Sequence, residues 1–206
     1  MGPSEPPWQV YAKALFPQGY GYPLWHPQPT YDSSSGLCEV EIGSVGWIDE
    51  GRFRRLFNAR KARDDPINVG RVPESFERFS PPNMIEPNPA PVIVKPFVAS
   101  RSIRIPSDDV EGPSTIPSTL MSVSAEESLS FECSTDTGAL LLLGPPAMKC
   151  ALSQRRHIMN YLREHVDAWH THAAENLGLG VRLEELMFVS GTTKTDKWAC
   201  AVFSGP

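Results

Sequence analysis

Residues 153–177 read SQRRHIMNYLREHVDAWHTHAAENL, and this stretch decides the fold of the 206-residue chain. Its apolar side chains recur every three or four positions, at Ile158, Leu162, Val166, Trp169, Ala173 and Leu177. This spacing predicts one long amphipathic helix with a single apolar stripe. Ser153 is placed to cap its amino end, and Gly178 stands where a terminating glycine belongs. We therefore expect a helix that packs on one face of a sheet.

Strand-like runs flank this helix on both sides. Before it, residues 130–133 and 139–143 enclose a turn-rich link and predict a hairpin, whose second strand is apolar enough to be central and buried on both faces. After it, residues 186–191 and 198–203 enclose a polar tip and predict a second hairpin. Residues 129–206 are thus predicted to form a hairpin-helix-hairpin.

The first half of the chain is built differently. Residues 1–36 interleave seven prolines with seven aromatic residues, which predicts an extended Pro/aromatic arm without helix. Residues 37–105 predict short strands and proline-rich connections, and 37–58 resemble the start of a β-meander that turns at Asp49-Glu50-Gly51. Residues 106–128, rich in Pro, Ser, Asp, Glu and Thr, predict a flexible loop.

Together these segments predict an α+β fold in a single domain over residues 1–206. It would contain an antiparallel sheet of about six to eight strands, one long amphipathic helix packed on one face, and the arm along an edge.

Composition excludes several classes of function. The formal net charge is −5 and the pI is near 5.5, so the protein as a whole should not attract nucleic acid or anionic membrane. The longest apolar run, residues 139–143, is far too short to span a bilayer, and residues 1–22 lack the pattern of a secretory leader. The four cysteines form no C-x-x-C pair and predict unbridged thiols in a reducing compartment. We expect a cytoplasmic protein.

The residues that could act in catalysis or bind a metal ion form no strong sequence motif. The helix holds four histidines, of which His165 and His172 share a face but lie about 10.5 Å apart along the axis, too far to bind one metal ion. We expect these histidines on the polar face or flank of the helix. No phosphate-binding glycine motif or nucleophile elbow is present in the sequence. The sequence therefore predicts no catalytic residue, no metal site and no cofactor.

Two alternatives stay open. Cys133 or Cys200 could pair in space with His165 or His172, as in a thiol-dependent hydrolase. In the second alternative, the basic run from Arg52 to Arg63 could bind single-stranded nucleic acid, because its cations alternate with aromatic rings. The basic members of that run are Arg52, Arg54, Arg55, Arg60, Lys61 and Arg63, with Phe53 and Phe57 among them.

Three segments carry a family resemblance. They are residues 15–25 (LFPQGYGYPLW), the pair 40–48 (VEIGSVGWI) and 51–58 (GRFRRLFN), and SFEC at 130–133 together with GALL at 138–141. The chain resembles an expanded protein family of mushroom-forming (basidiomycete) fungi that has no known activity. The resemblance implies a fungal origin and an intracellular setting, and it supplies no site residue.

The preferred hypothesis is a non-enzymatic interaction or recognition module with a protein partner. Tyr20, Tyr22 and Trp25 would form an aromatic surface on a stiff proline-containing backbone, because such rings make contacts at low entropic cost. Arg52, Arg54 and Arg55 are the further candidate binding residues, and nucleic acid is the less favoured partner.

Overall fold

The computed structural model describes residues 5–32, 36–81, 85–104 and 130–204. The predicted loop over 106–128 lies outside the described residues. Within the described ranges the fold is mixed α+β, with two α-helices and small antiparallel sheets of two or three strands in place of one sheet of six to eight strands. Contacts group the chain into two compact units, one of residues 1–25, 90–148 and 194–206, the other of residues 26–89 and 149–193. The single domain remains a prediction.

The first unit is a helix on a three-stranded sheet. Helix α1 spans Pro7–Leu15. The sheet contains β6 (Phe97–Ala99), β9 (Thr137–Leu143) and β13 (Trp198–Ser204), with β9 in the centre and both neighbours antiparallel to it. Two further short strands, β7 (Ile103–Arg104) and β8 (Glu132–Cys133), pair with each other. Tyr11 and Leu15 of the helix share a core with Val98, Ala139 and Leu143.

Helix α1 corrects the prediction of a helix-free arm. Pro7 is the first residue of the helix, where its missing N–H would have no partner in any case. The next proline is Pro17, so a full helical segment between the two is free of proline. The number of residues between consecutive prolines therefore predicts a helix better than the density of proline over the whole segment does.

The second unit is also built on a helix and sheets. Helix α2 spans Arg155–Thr171 and continues as a wider π-type turn, His172–Asn176, before Gly178 takes up a left-handed φ of 64°. The predicted helix is confirmed, although Gln154 and not Ser153 is its N-cap. The strands are β1 (Thr30–Asp32), β2 (Gly36–Cys38), β3 (Ser44–Asp49), β4 (Arg52–Asn58), β5 (Ile85–Pro87), β10 (Met148–Leu152), β11 (Met187–Phe188) and β12 (Gly191–Lys194).

These strands form three small sheets. β1 pairs with β2, β3 lies between β11 and β4, and β10 lies between β12 and β5. The predicted turn at Asp49-Glu50-Gly51 is confirmed as the link between β3 and β4, with Glu50 and Gly51 in left-handed conformations. The meander is not, because the other neighbour of β3 is the distant strand β11. A bulge at Val45/Gly46 shifts the register, and a side chain on Gly46 would meet the Arg54 carbonyl oxygen at 2.0 Å. The bulge lets both Leu56 and Phe57 enter the core.

Both predicted hairpins around α2 are wrong. β8 pairs with β7, and β9 pairs with β13 and β6, so the two strands before the helix are not partners. After the helix, β11 joins β3, β12 joins β10, and β13 joins β9. The central position predicted for residues 139–143 is confirmed.

The apolar stripe of α2 is the core of the second unit. Trp169 is 2% exposed and meets Phe57 edge-on, with ring centroids 5.5 Å apart. Tyr161 packs against Phe79 at 4.7 Å, and its hydroxyl donates to the Glu77 carbonyl at 2.6 Å. Burial raises the pKa of Tyr161.

Candidate functional site

Three exposed aromatic side chains follow helix α1 in the first unit. Phe16, Tyr20 and Tyr22 are 57%, 41% and 45% exposed, and we call them the aromatic surface. The rings of Phe16 and Tyr22 lie 6.2 Å apart with their planes inclined at 54°. Gly19 and Gly21, with φ of 80° and 114°, reverse the chain between the rings, a conformation that few other residues adopt. The partial burial of Tyr22 raises its pKa.

Trp25 has a different environment from the other two predicted rings. It is half-buried and meets Tyr11 edge-on, at a centroid distance of 5.3 Å, against the core of the first unit. Its backbone carbonyl faces the Cys200 sulfur at 3.9 Å. Tyr20 and Tyr22 therefore remain accessible, whereas Trp25 packs within its own unit. Phe16 was missed by sequence reasoning, although it opens the FPQGYGY segment that holds both tyrosines.

A groove of about 570 Å³ borders the aromatic surface in the same unit. Its lining includes Lys13 of α1 and Pro17 and Gln18, which directly follow Phe16. It also includes five residues with hydroxyl groups, Ser100, Ser102, Ser134, Thr135 and Thr137. Several of these hydroxyls are already bonded to backbone carbonyls; Ser134 Oγ, for example, donates to Ser102 O at 3.0 Å.

Most of the basic run in the second unit is engaged within the chain. Arg52 donates to the Gln28 carbonyl at 3.0 Å, and Arg54 donates to the Asp49 carboxylate at 3.1 Å. Arg63 donates to the carbonyls of Pro73 and Glu74 at 3.0 and 2.8 Å.

The rings of this run are not available for stacking either. Phe53 is 9% exposed and Phe57 is fully buried. A single-strand binding surface needs accessible rings beside unengaged cations. These contacts therefore do not support the nucleic-acid alternative.

Arg55 differs from its neighbours because it lies beside a thiol. Its side chain is 8% exposed, and its Nη2 donates to the Cys38 sulfur at 2.9 Å. Its Nη1 donates to the Glu39 carbonyl at 3.4 Å. Among the described residues, no acceptor lies within hydrogen-bond reach of the buried Arg55 Nε. Cys38 and Arg55 both line a cavity of about 30 Å³, which also contacts His26 and Thr30.

The four predicted helix histidines differ in burial: His157 is exposed, His170 and His172 are half-buried, and His165 is buried. His165 is 8% exposed and lies between Tyr161 and Trp169, so its position on a polar face is a wrong prediction. His170 Nε2 is 3.0 Å from the Val181 carbonyl. Burial lowers the pKa of His172, although a hydrogen bond with the Arg71 backbone acts in the opposite direction. In the described part of the chain, no group of three His, Cys, Asp or Glu side chains could hold a metal ion.

The two thiols of the hydrolase alternative contact backbone carbonyls. Cys133 donates to the Thr135 carbonyl at 3.1 Å, and Cys200 to that of Trp25. Burial raises the pKa of Cys200, which disfavours the nucleophilic thiolate. None of the four cysteines is in a disulfide.

No family model, curated protein or solved structure matches the chain. Neither helix in the described ranges is long and apolar enough to cross a membrane.

Proposed function

We propose that the protein is a non-enzymatic recognition module that binds an extended, proline-containing segment of a partner protein on its aromatic surface. The observation that carries the proposal is the pair of exposed, mutually inclined rings of Phe16 and Tyr22. Inclined aromatic rings form shallow clefts that accept proline rings, and a polyproline segment is already ordered before it binds.

The surroundings of the aromatic surface fit such a ligand. Tyr22 carries a hydroxyl group that can donate to a carbonyl group of a polyproline backbone, which has no hydrogen bonds of its own. The neighbouring groove offers further room for an extended chain. Trp25 would support this surface indirectly, because it packs on Tyr11 of helix α1.

Binding of synthetic peptides tests the proposal. Fluorescent decapeptides with proline at every third position are compared with glycine-serine decapeptides of equal length by anisotropy titration. We expect selective binding of the proline peptides. The double variant Phe16→Ala/Tyr22→Ala should weaken that binding about 30-fold, because truncating an interface anchor costs at least ~1 kcal/mol.

Tyr31→Ala is the matched control, since Tyr31 is 81% exposed and belongs to the other unit. It should bind the proline peptides as the wild type does. Equal binding of both peptide types by the wild type would refute the proposal. Unfolding of the double variant would also refute it, because the rings would then be needed for the fold. Preferential binding of a single-stranded oligonucleotide to the same rings would refute it as well.

A further inference from the structure

The second unit holds a thiol and a buried guanidinium at one cavity, and nothing in the proposed function uses them. Cys38 stands at the end of β2, and Arg55 lies in β4. The Arg55 side chain is more than nine-tenths buried, which is costly for a cation unless a negative charge compensates it. Its Nε is buried without a hydrogen-bond partner among the described residues, and Arg55 is one of the residues that line the cavity.

The negative charge already present compensates Arg55 only in part. The Glu41 carboxylate lies 4.0 Å from Arg55 Nη1, but it also lies 3.9 Å from Lys61 Nζ. Two cations therefore share one carboxylate, and that carboxylate is itself partly exposed. The Cys38 sulfur is a further acceptor for this cation, since it accepts from Arg55 Nη2 at 2.9 Å while its thiol donates to the Gly36 carbonyl at 3.3 Å.

We propose that Cys38 is a peroxide-reactive thiol, with Arg55 as the residue that positions its sulfur in the small cavity. A cavity of about 30 Å³ can hold two or three water molecules, since each needs roughly 10–15 Å³ on this measure, and hydrogen peroxide has a similar size. The thiol is partly exposed, so the oxidant can reach it. Cysteines react where their thiols are accessible to solvent and lie beside an arginine or another cation.

Oxidation of the Cys38 thiol needs no reagent other than hydrogen peroxide. The Cys38 proton is lost to solvent, and the thiolate sulfur attacks one oxygen of hydrogen peroxide. The sulfur–oxygen bond forms as the oxygen–oxygen bond breaks, and the departing hydroxide takes up a proton to become water. Sulfur is oxidised to a sulfenic acid while the peroxide is reduced. The Arg55 guanidinium can donate to the departing hydroxide as well as to the sulfur.

The other three cysteines serve as internal controls in one experiment. The full chain is treated with limiting hydrogen peroxide, sulfenic acids are trapped with dimedone, and each cysteine is quantified by peptide mass spectrometry. We expect Cys38 to be trapped at least about tenfold faster than Cys133, Cys150 and Cys200. Trapping of Cys38 at the same rate as the other three would overturn the proposal without any variant.

Arg55→Lys then tests the positioning role, with Arg54→Lys as the control on the same strand. Arg54 is exposed and bonded to Asp49, so its replacement should leave Cys38 oxidation unchanged. Arg55→Lys keeps the charge but loses the planar donor at the sulfur, and it should slow Cys38 trapping about tenfold. Unchanged rates at the other cysteines would show that the fold is intact. An unchanged rate of Cys38 trapping in this variant would refute the role of Arg55. If the variant unfolds, the trapping rate of Cys38 relative to the other three cysteines in the wild type decides whether the proposal stands.

Discussion

Truncating Trp169 should remove much of the stability of the second unit. The ring is 2% exposed and meets three other rings, those of Phe57, Tyr161 and His165. Trp→Ala substitutions in cores cost about 3–5 kcal/mol, and edge-on aromatic pairs each add about 0.5–1.5 kcal/mol beyond burial. The edge-on pair with Phe57 and the tilted contact with Tyr161 place Trp169→Ala near the upper limit, at about 4–5 kcal/mol.

Urea unfolding followed by circular dichroism measures this loss. With a denaturant slope of about 2 kcal/mol/M, the midpoint should fall by about 2 M. Met159→Ala is the matched control, because Met159 lies on the same helix and is 48% exposed. It should change the free energy of unfolding by less than about 0.5 kcal/mol. A loss below about 1 kcal/mol for Trp169→Ala would refute the packing of α2 on the sheet of β3 and β4.

Two further predictions concern buried polar groups. The fully buried Asn68 side chain accepts from the Asn58 N–H at 2.8 Å and donates to the Ala62 carbonyl at 2.8 Å. Asn68→Ala should therefore lower the free energy of unfolding in urea by about 2–4 kcal/mol. The control Asn176→Ala, at an exposed position, should leave it nearly unchanged. Burial lowers the pKa of His172 below its ordinary 6.5, so its contribution to stability is present above pH 6.5 and is lost as the pH falls below that value. The free energy of unfolding of the wild type should therefore fall more between pH 7.5 and 5 than that of His172→Gln, and parallel profiles would contradict this.

Local patterns could be predicted well from this sequence, and pairing between distant segments could not. The period of 3.6 in α2 and the turn between β3 and β4 are properties of neighbouring residues, so both were predicted correctly. Turn residues at 134–138 favoured a hairpin of adjacent strands, but Leu140 pairs with Ala201 near the other end of the sequence. Nothing local in either strand specifies that partner.

The same limit applies to the sites. Tyr20 and Tyr22 could be predicted as exposed rings, because glycines and prolines surround them closely in sequence. The approach of Cys38 to Arg55 depends on how strands β2 and β4 are placed, and Cys38 belongs to no motif. The burial of His165 was missed because histidine counts as a polar residue in the apolar pattern, although it lies in one helical row with Tyr161 and Trp169.

The position of β9 between β6 and β13 has a consequence for synthesis on the ribosome. β9 ends at Leu143 and β13 begins at Trp198, so one edge of the most apolar strand stays open while the residues between them are translated. At about 5–20 residues per second this interval lasts roughly 3–11 s. During those seconds the nascent chain exposes an unpaired, aggregation-prone strand edge, which β13 covers in the finished protein. Chaperone demand should therefore peak just before the last strand emerges.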